Sequence, residues 1–122
     1  MILTVLQVAL GGAIGASLRY LTNVGVMRLV GPGFPWGTVV ANVVGSFAMG
    51  VLVVLLANTG YNKFAPVLMT GLLGGFTTFS AFSLDAVRLM QGGQAALAVG
   101  YVAGAVVLSL GAVVLGVYFG MS

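Results

Sequence analysis

The chain has 122 residues, 61% of them hydrophobic and 4% charged, with 20 glycines and a net charge of +3. Five charged side chains are too few to keep a water-exposed surface soluble, so a soluble globular domain is excluded. With no Cys and no His there is no disulfide framework, no thiolate or imidazole metal site, and no side chain titrating near neutrality. The lone acid, Asp85, cannot form a carboxylate pair, and the scattered bases Arg19, Arg28, Lys63 and Arg88 give no footprint for nucleic acid.

A spanning helix takes about 20 apolar residues, so the chain holds at most four. Polar or glycine-rich breaks at Gly31 to Pro35, Asn58 to Lys63 and Gln91 to Gln94 divide it into spans at about residues 2–25, 37–57, 64–90 and 95–119. The expected fold is therefore an all-α, multi-pass membrane protein in which residues 1–122 form a single domain.

The first span lacks the basic start of a secretory signal and runs on past signal length, so it reads as a retained helix. Gly11 and Gly15 fall four apart, as do Gly12 and Ala16, which lets another backbone approach that face. Arg19, deep in the span or near its end, either snorkels to headgroups or faces a wet vestibule where its charge gathers anions.

The second span carries Asn42 with Thr38 one turn before it, and an amide in hydrocarbon needs a hydrogen-bond partner. It serves either as interhelical glue or as a donor to a passing anion. Ser46 and Gly50 form another small pair.

The third span holds the unusual chemistry, Gly-Leu-Leu-Gly-Gly-Phe-Thr-Thr-Phe-Ser-Ala-Phe-Ser at residues 71–83. Glycines followed by β-branched hydroxyl residues predict a break in the helix. In lipid, a break is tolerated mainly where protein, water or an ion satisfies the freed backbone groups. Carbonyls around Gly74 to Thr78 suit a hard monovalent cation such as Na⁺; the competing reading is a glycine kink closed by Thr hydroxyls. Beyond it, Phe76, Phe79 and Phe82 recur every three residues beside a hydroxyl stripe of Thr77, Ser80 and Ser83. Such a stripe is either packing surface or, with donors beside positive ring edges, a path for a small anion. Asp85 and Arg88, three apart, are expected to pair at the end of the span.

In the fourth span Tyr101 and Ser109 extend the polar line, and the pairs Gly100 with Gly104 and Gly116 with Gly120 add small-residue faces. One end of the bundle carries Arg28 and Arg88, the other Lys63 and the free amino terminus, a bias too slight to fix one orientation. An antiparallel, dual-topology homodimer is then available, and a lone four-helix unit has little interior for a solvated route.

Three blocks, Gly-Gly-Ala-Ile-Gly-Ala-Ser-Leu-Arg-Tyr (11–20), Gly-Thr-Val-Val-Ala-Asn-Val-Val-Gly (37–45) and Gly-Gly-Phe-Thr-Thr-Phe-Ser-Ala-Phe-Ser (74–83), resemble the small fluoride channel family called Fluc or CrcB, in order and in spacing. The resemblance covers all four spans. It implies an antiparallel homodimer with two fluoride pores, a structural Na⁺ at the broken third helices, and passive export that relieves fluoride toxicity. The family's pore asparagine falls on Asn42 and its pore phenylalanines on Phe79 and Phe82. Its Na⁺-ligating carbonyls fall on Gly74 and Thr77, its polar-track hydroxyls on Thr78, Ser80 and Tyr101, and its vestibule arginine on Arg19. Asp85 stands where such channels usually have Glu, and Ala81 where Thr is common, departures expected to touch helix-end bonding and ion entry.

Fluoride enters acidified cells as neutral HF and dissociates inside, so a leak driven by the membrane potential suffices for export in the cell membrane. Selectivity would come from a narrow path lined by donors and ring edges. A small dual-topology multidrug exporter needs an ionisable group in the membrane core, typically a carboxylate in the first span, and this one has none. A non-transporting assembly subunit would use the glycine faces alone. An enzyme is disfavoured, since no pair of nucleophile and base exists.

Overall fold

The computed structural model describes residues 1–60 and 62–122; Tyr61, inside the expected second connection, lies outside them, as does the side chain of Asn62. The chain forms α1 (Ile2–Val30), α2 (Trp36–Thr59), a 3-10 turn (Asn62–Phe64), a π-helical stretch (Pro66–Leu73) running into α3 (Gly74–Phe76), then α4 (Ser80–Gln91) and α5 (Ala95–Met121). Four stretches are long and apolar enough to cross a membrane: Ile2–Val30, Trp36–Thr59, Pro66–Gln91 and Ala95–Met121.

These match the expected spans, with the first running on past residue 25 to Val30. It stops at Gly31, whose φ of 83° only glycine adopts freely, and the Gly31 N–H closes the last turn on Met27 O at 2.8 Å. Leu, Val and Ile side chains stay exposed along all four spans, a surface that water would not tolerate and lipid does. The chain is a multi-pass membrane protein.

Two glycine seams hold the spans together. A Cβ on Gly11 would overlap the Val67 carbonyl oxygen, and one on Gly15 the Leu72 carbonyl oxygen, so α1 lies backbone to backbone against the third span. From the other side, a Cβ on Gly75 would come within 2.8 Å of Gly12 O. The second seam joins α2 to α5, where Gly50 abuts Val113 O and Gly116 abuts Phe47 O. Gly100 and Gly104 face open space, so that pair takes no part in packing within the chain. A small buried cluster of Val39, Phe82, Leu89, Ala98, Tyr101 and Ala105 ties α4 to α2 and α5.

The third span is interrupted, in the second half of the expected Gly74 to Thr78 stretch and one residue beyond it. Gly74 to Phe76 are helical; the backbone becomes extended at Thr77 (ψ 158°), and helix resumes at Ser80. In lipid a glycine has no acceptor better than its own helix, so glycine alone does not stop one. Hydroxyls do offer an alternative: Thr77 Oγ1 and Thr77 N–H both donate to Leu73 O at 2.9 Å, and Thr78 Oγ1 accepts the Ala81 N–H at 3.1 Å. The π-helical turns before the break were not foreseeable from periodicity.

Candidate functional site at the broken span

Accounting for the backbone bonds across the break shows what the site consists of. In a continuous helix the N–H of Thr78 would go to Gly74 O, and that of Ala81 to Thr77 O. Here Thr78 N–H donates to Asn42 Oδ1 at 2.8 Å, and Ala81 N–H to Thr78 Oγ1. Asn42 answers with its own Nδ2, which donates to Thr78 O at 3.0 Å. One amide from α2 thus grips both backbone groups of Thr78, while the carbonyls of Gly74 and Thr77 lose their helical donors. Those are the two positions on which the resemblance places Na⁺ ligands. Carbonyl oxygens without an amide partner are hard neutral donors, the kind a small monovalent cation takes, so the residues present fit that ion.

Beside the break lies a pocket of about 480 Å³. Asn42 and Ser46 from α2, Thr78, Phe79 and Phe82 from the broken span, and Ser109 from α5 line it, with Gly74 and Thr77 at its wall. Half of the expected fluoride-pathway residues, Asn42, Thr78, Phe79, Phe82 and Ser109, are therefore brought together here. The two rings differ in role: Phe79 is 78% exposed, whereas Phe82 is 8% exposed and packs on Tyr101 with ring centroids 5.1 Å apart. Their own centroids lie 5.7 Å apart. Asn42 uses one of its two Nδ2 hydrogens on Thr78, which leaves the other for a ligand.

Thr38 and Tyr101 lie a turn away from the pocket, where both hydroxyls donate to Asp85 Oδ2, at 2.8 and 3.2 Å. The expected pairing of Asp85 with Arg88 is thereby corrected: among the described residues Asp85 forms no ion pair, and its partners are these two hydroxyls. A carboxylate inside a span needs donors, and α2 and α5 reach it where Arg88 does not. Tyr101 is 1% exposed and meets Phe34 edge-on at 5.3 Å, so it is no interfacial anchor.

Ser80 and Ser83 do not line the pocket. Ser83 Oγ donates to Phe79 O one turn back at 3.0 Å, and Ser80 Oγ sits 3.4 Å from Thr78 Oγ1. Arg19 is half-buried, and its Nε–H donates to Gly75 O at 3.2 Å, a bond that neither snorkelling nor a vestibule position alone predicts. Sequence reasoning took Ser46 for packing only, although its place four residues after Asn42 puts it on the same face of α2. The spacing of Thr38, Asn42 and Ser46 on α2, and of Tyr101, Ala105 and Ser109 on α5, makes two facing lines. Past Ser46 and Ser109 the pocket wall is Met49, Leu110 and Val113, so the polar line stops midway through the bundle.

Residues 6–117 match the family described as CrcB-like protein, Camphor Resistance (CrcB). A relative from Cereibacter sphaeroides, named fluoride-specific ion channel FluC, is 68% identical over 95% of this chain and 93% of its own length. Relatives of the same name from Paracoccus denitrificans and Agrobacterium fabrum are 56% and 50% identical, over 96% and 93% of this chain and 94% and 92% of their own. With a family match over nearly the whole chain, and relatives this similar from end to end, the chain belongs to the CrcB-like family.

Proposed function

We infer that this chain is a fluoride-selective passive ion channel that exports fluoride from the cell, and not an enzyme. The observation that carries the reading is the pocket at the broken span, where an amide donor, hydroxyls and two phenylalanine rings converge in a chain whose relatives are named fluoride-specific ion channels. Fluoride is small and strongly hydrated, so a pathway must replace water with close donors. The unused Asn42 hydrogen and the Ser109 hydroxyl offer such donors, and the edges of Phe79 and Phe82 present the positive rim of the ring quadrupole. Thr38 and Tyr101, a turn from the pocket, and the Arg19 charge beside the break would gather the anion and hand it on.

The working unit is an antiparallel homodimer with two pores. What supports this is that one chain's polar line ends halfway, that Phe79 is exposed, and that charge is nearly balanced between the two ends. A Na⁺ held by the Gly74 and Thr77 carbonyls of both copies would neutralise the carbonyl dipoles turned toward it and pin the two breaks together. Two oxygens per chain make four per pair, a number a single chain cannot supply.

Purified protein reconstituted alone into liposomes is expected to release fluoride rapidly and chloride negligibly, read by ion-selective electrodes. Equal rates for the two halides would overturn the selectivity, and no flux of either would leave an assembly subunit as the better reading.

A further inference from the structure

Gly11, Gly15 and Arg19 follow one another at four-residue intervals, so they share one stripe of α1. The first two press on the third span so closely that a Cβ would overlap its carbonyls, and Gly15 also lies beside Phe76 N. Arg19 is the next position along this seam, one turn on. Its α-carbon is brought so near the break that Nε, not the outer amino groups, meets the Gly75 carbonyl at 3.2 Å.

Gly75 O is an acceptor that the break exposes. Its donor in a continuous helix would be the N–H of Phe79, which opens α4 on the far side of the extended Thr77 and makes no bond to it. Left bare, this carbonyl would be unpaired at membrane depth or would compete with its neighbours for a cation. We propose that Arg19 is a positioning residue of the break: its Nε–H holds the Gly75 carbonyl out of the cation-binding set and fixes the segment that Asn42 grips from the other side. The two amino groups of the guanidinium remain for water or a passing anion, so one side chain braces the break and charges the vestibule. The part concerning the cation rests on the Na⁺ reading above.

The two roles separate chemically. In Gln the amide nitrogen occupies the same place along the side chain as Nε of Arg, so R19Q keeps an N–H donor at that point and loses the charge. In Lys that place is a methylene and the ammonium lies one atom further, so R19K keeps the charge and loses the donor. Hydrogen exchange of the full chain in detergent, with N-methylglucamine replacing Na⁺, reads the Thr78 and Ala81 amides against those of α5 as reference. Exchange at Thr78 and Ala81 is expected to rise on the order of tenfold or more in R19K, and to stay near the unsubstituted level in R19Q. Fluoride flux in liposomes should fall in R19Q through the lost charge, while Na⁺ should restore less protection to Thr78 in R19K than in the unsubstituted chain.

Protection kept in R19K, or lost in R19Q, overturns the proposal, and so does loss across α5 as well, which would make Arg19 a residue of general stability. If Na⁺ adds no protection to the unsubstituted chain, the cation reading fails by itself, and the Na⁺-free comparison of the two variants still decides the role of Arg19.

Discussion

Phe79 and Phe82 occupy neighbouring turns and have the same chemistry, yet their surroundings make their substitutions separable. Phe82 is 8% exposed and packs against Tyr101, whereas Phe79 is 78% exposed and, among the described residues, pairs with the ring of Phe82. F82I is expected to lower the thermal midpoint in detergent, since each aromatic pair lost costs about 0.5 to 1.5 kcal/mol beyond burial. F79I loses one such pair at an exposed site, so its midpoint should move less, while fluoride flux in liposomes falls in both. If both variants conduct normally, the rings are packing surface and the pathway lies elsewhere. The hydroxyls around them follow the same logic. Periodicity placed Thr77, Ser80 and Ser83 on one stripe, but each finds a nearer acceptor or neighbour in its own backbone turn, which a spacing argument does not weigh. Asn42 is the opposite case: an amide in hydrocarbon had to find a partner, and only the folded break shows that the partner is both backbone groups of Thr78.

At the scale of the element, hydropathy and glycine spacing carried most of the fold. Four apolar runs became four spans, and the pairs Gly11 with Gly15 and Gly116 with Gly120 became seams because a helix needs no partner other than another backbone there. The pair Gly100 and Gly104 reads identically in sequence and faces open space, since periodicity names a face but not what it meets. G15A is therefore expected to cost at least about 1 to 3 kcal/mol through overpacking against Leu72. Against it, G104A should change the stability of the isolated chain by no more than about 0.5 kcal/mol. Unfolding by denaturing detergent, followed by helical circular dichroism, would show the difference; equal losses would mean that the seam is looser than drawn. The break was legible to within a turn: the glycines with the β-branched hydroxyls after them name Gly74 to Thr78, whereas the residue at which the helix ends is set by hydrogen bonds of Thr77, Thr78 and Asn42. Asp85 reads in sequence as pairing with Arg88 three residues on, since its actual partners, Thr38 and Tyr101, are 47 and 16 residues away along the chain.

For the whole molecule, the decisive feature is how evenly the few charges are shared. Arg28 and Arg88 sit at one end of the bundle, and Lys63 with the amino terminus at the other. Orientation in a membrane follows the excess of Lys and Arg near span ends, so one substitution at each end should decide it. The pair R28Q with N58K moves positive charge to the Lys63 end, and the pair K63Q with Q91K moves it to the Arg28 end; all four positions lie at or beside helix ends, away from the pocket. A reporter fused after Ser122 is expected on both faces of the membrane for the unsubstituted chain, and on opposite single faces for the two variants. If half of each polar line must come from an inverted partner, neither variant should protect cells from fluoride when expressed alone, and the two together should. Protection by either variant alone would show that copies facing one way suffice, and would remove the reason for placing Na⁺ between two inverted breaks. Dependence on co-expression, joined to a fall in liposome fluoride flux when Na⁺ is replaced by N-methylglucamine, would tie the balanced charges, the half-finished polar line and the freed carbonyls of Gly74 and Thr77 to one two-chain conduit.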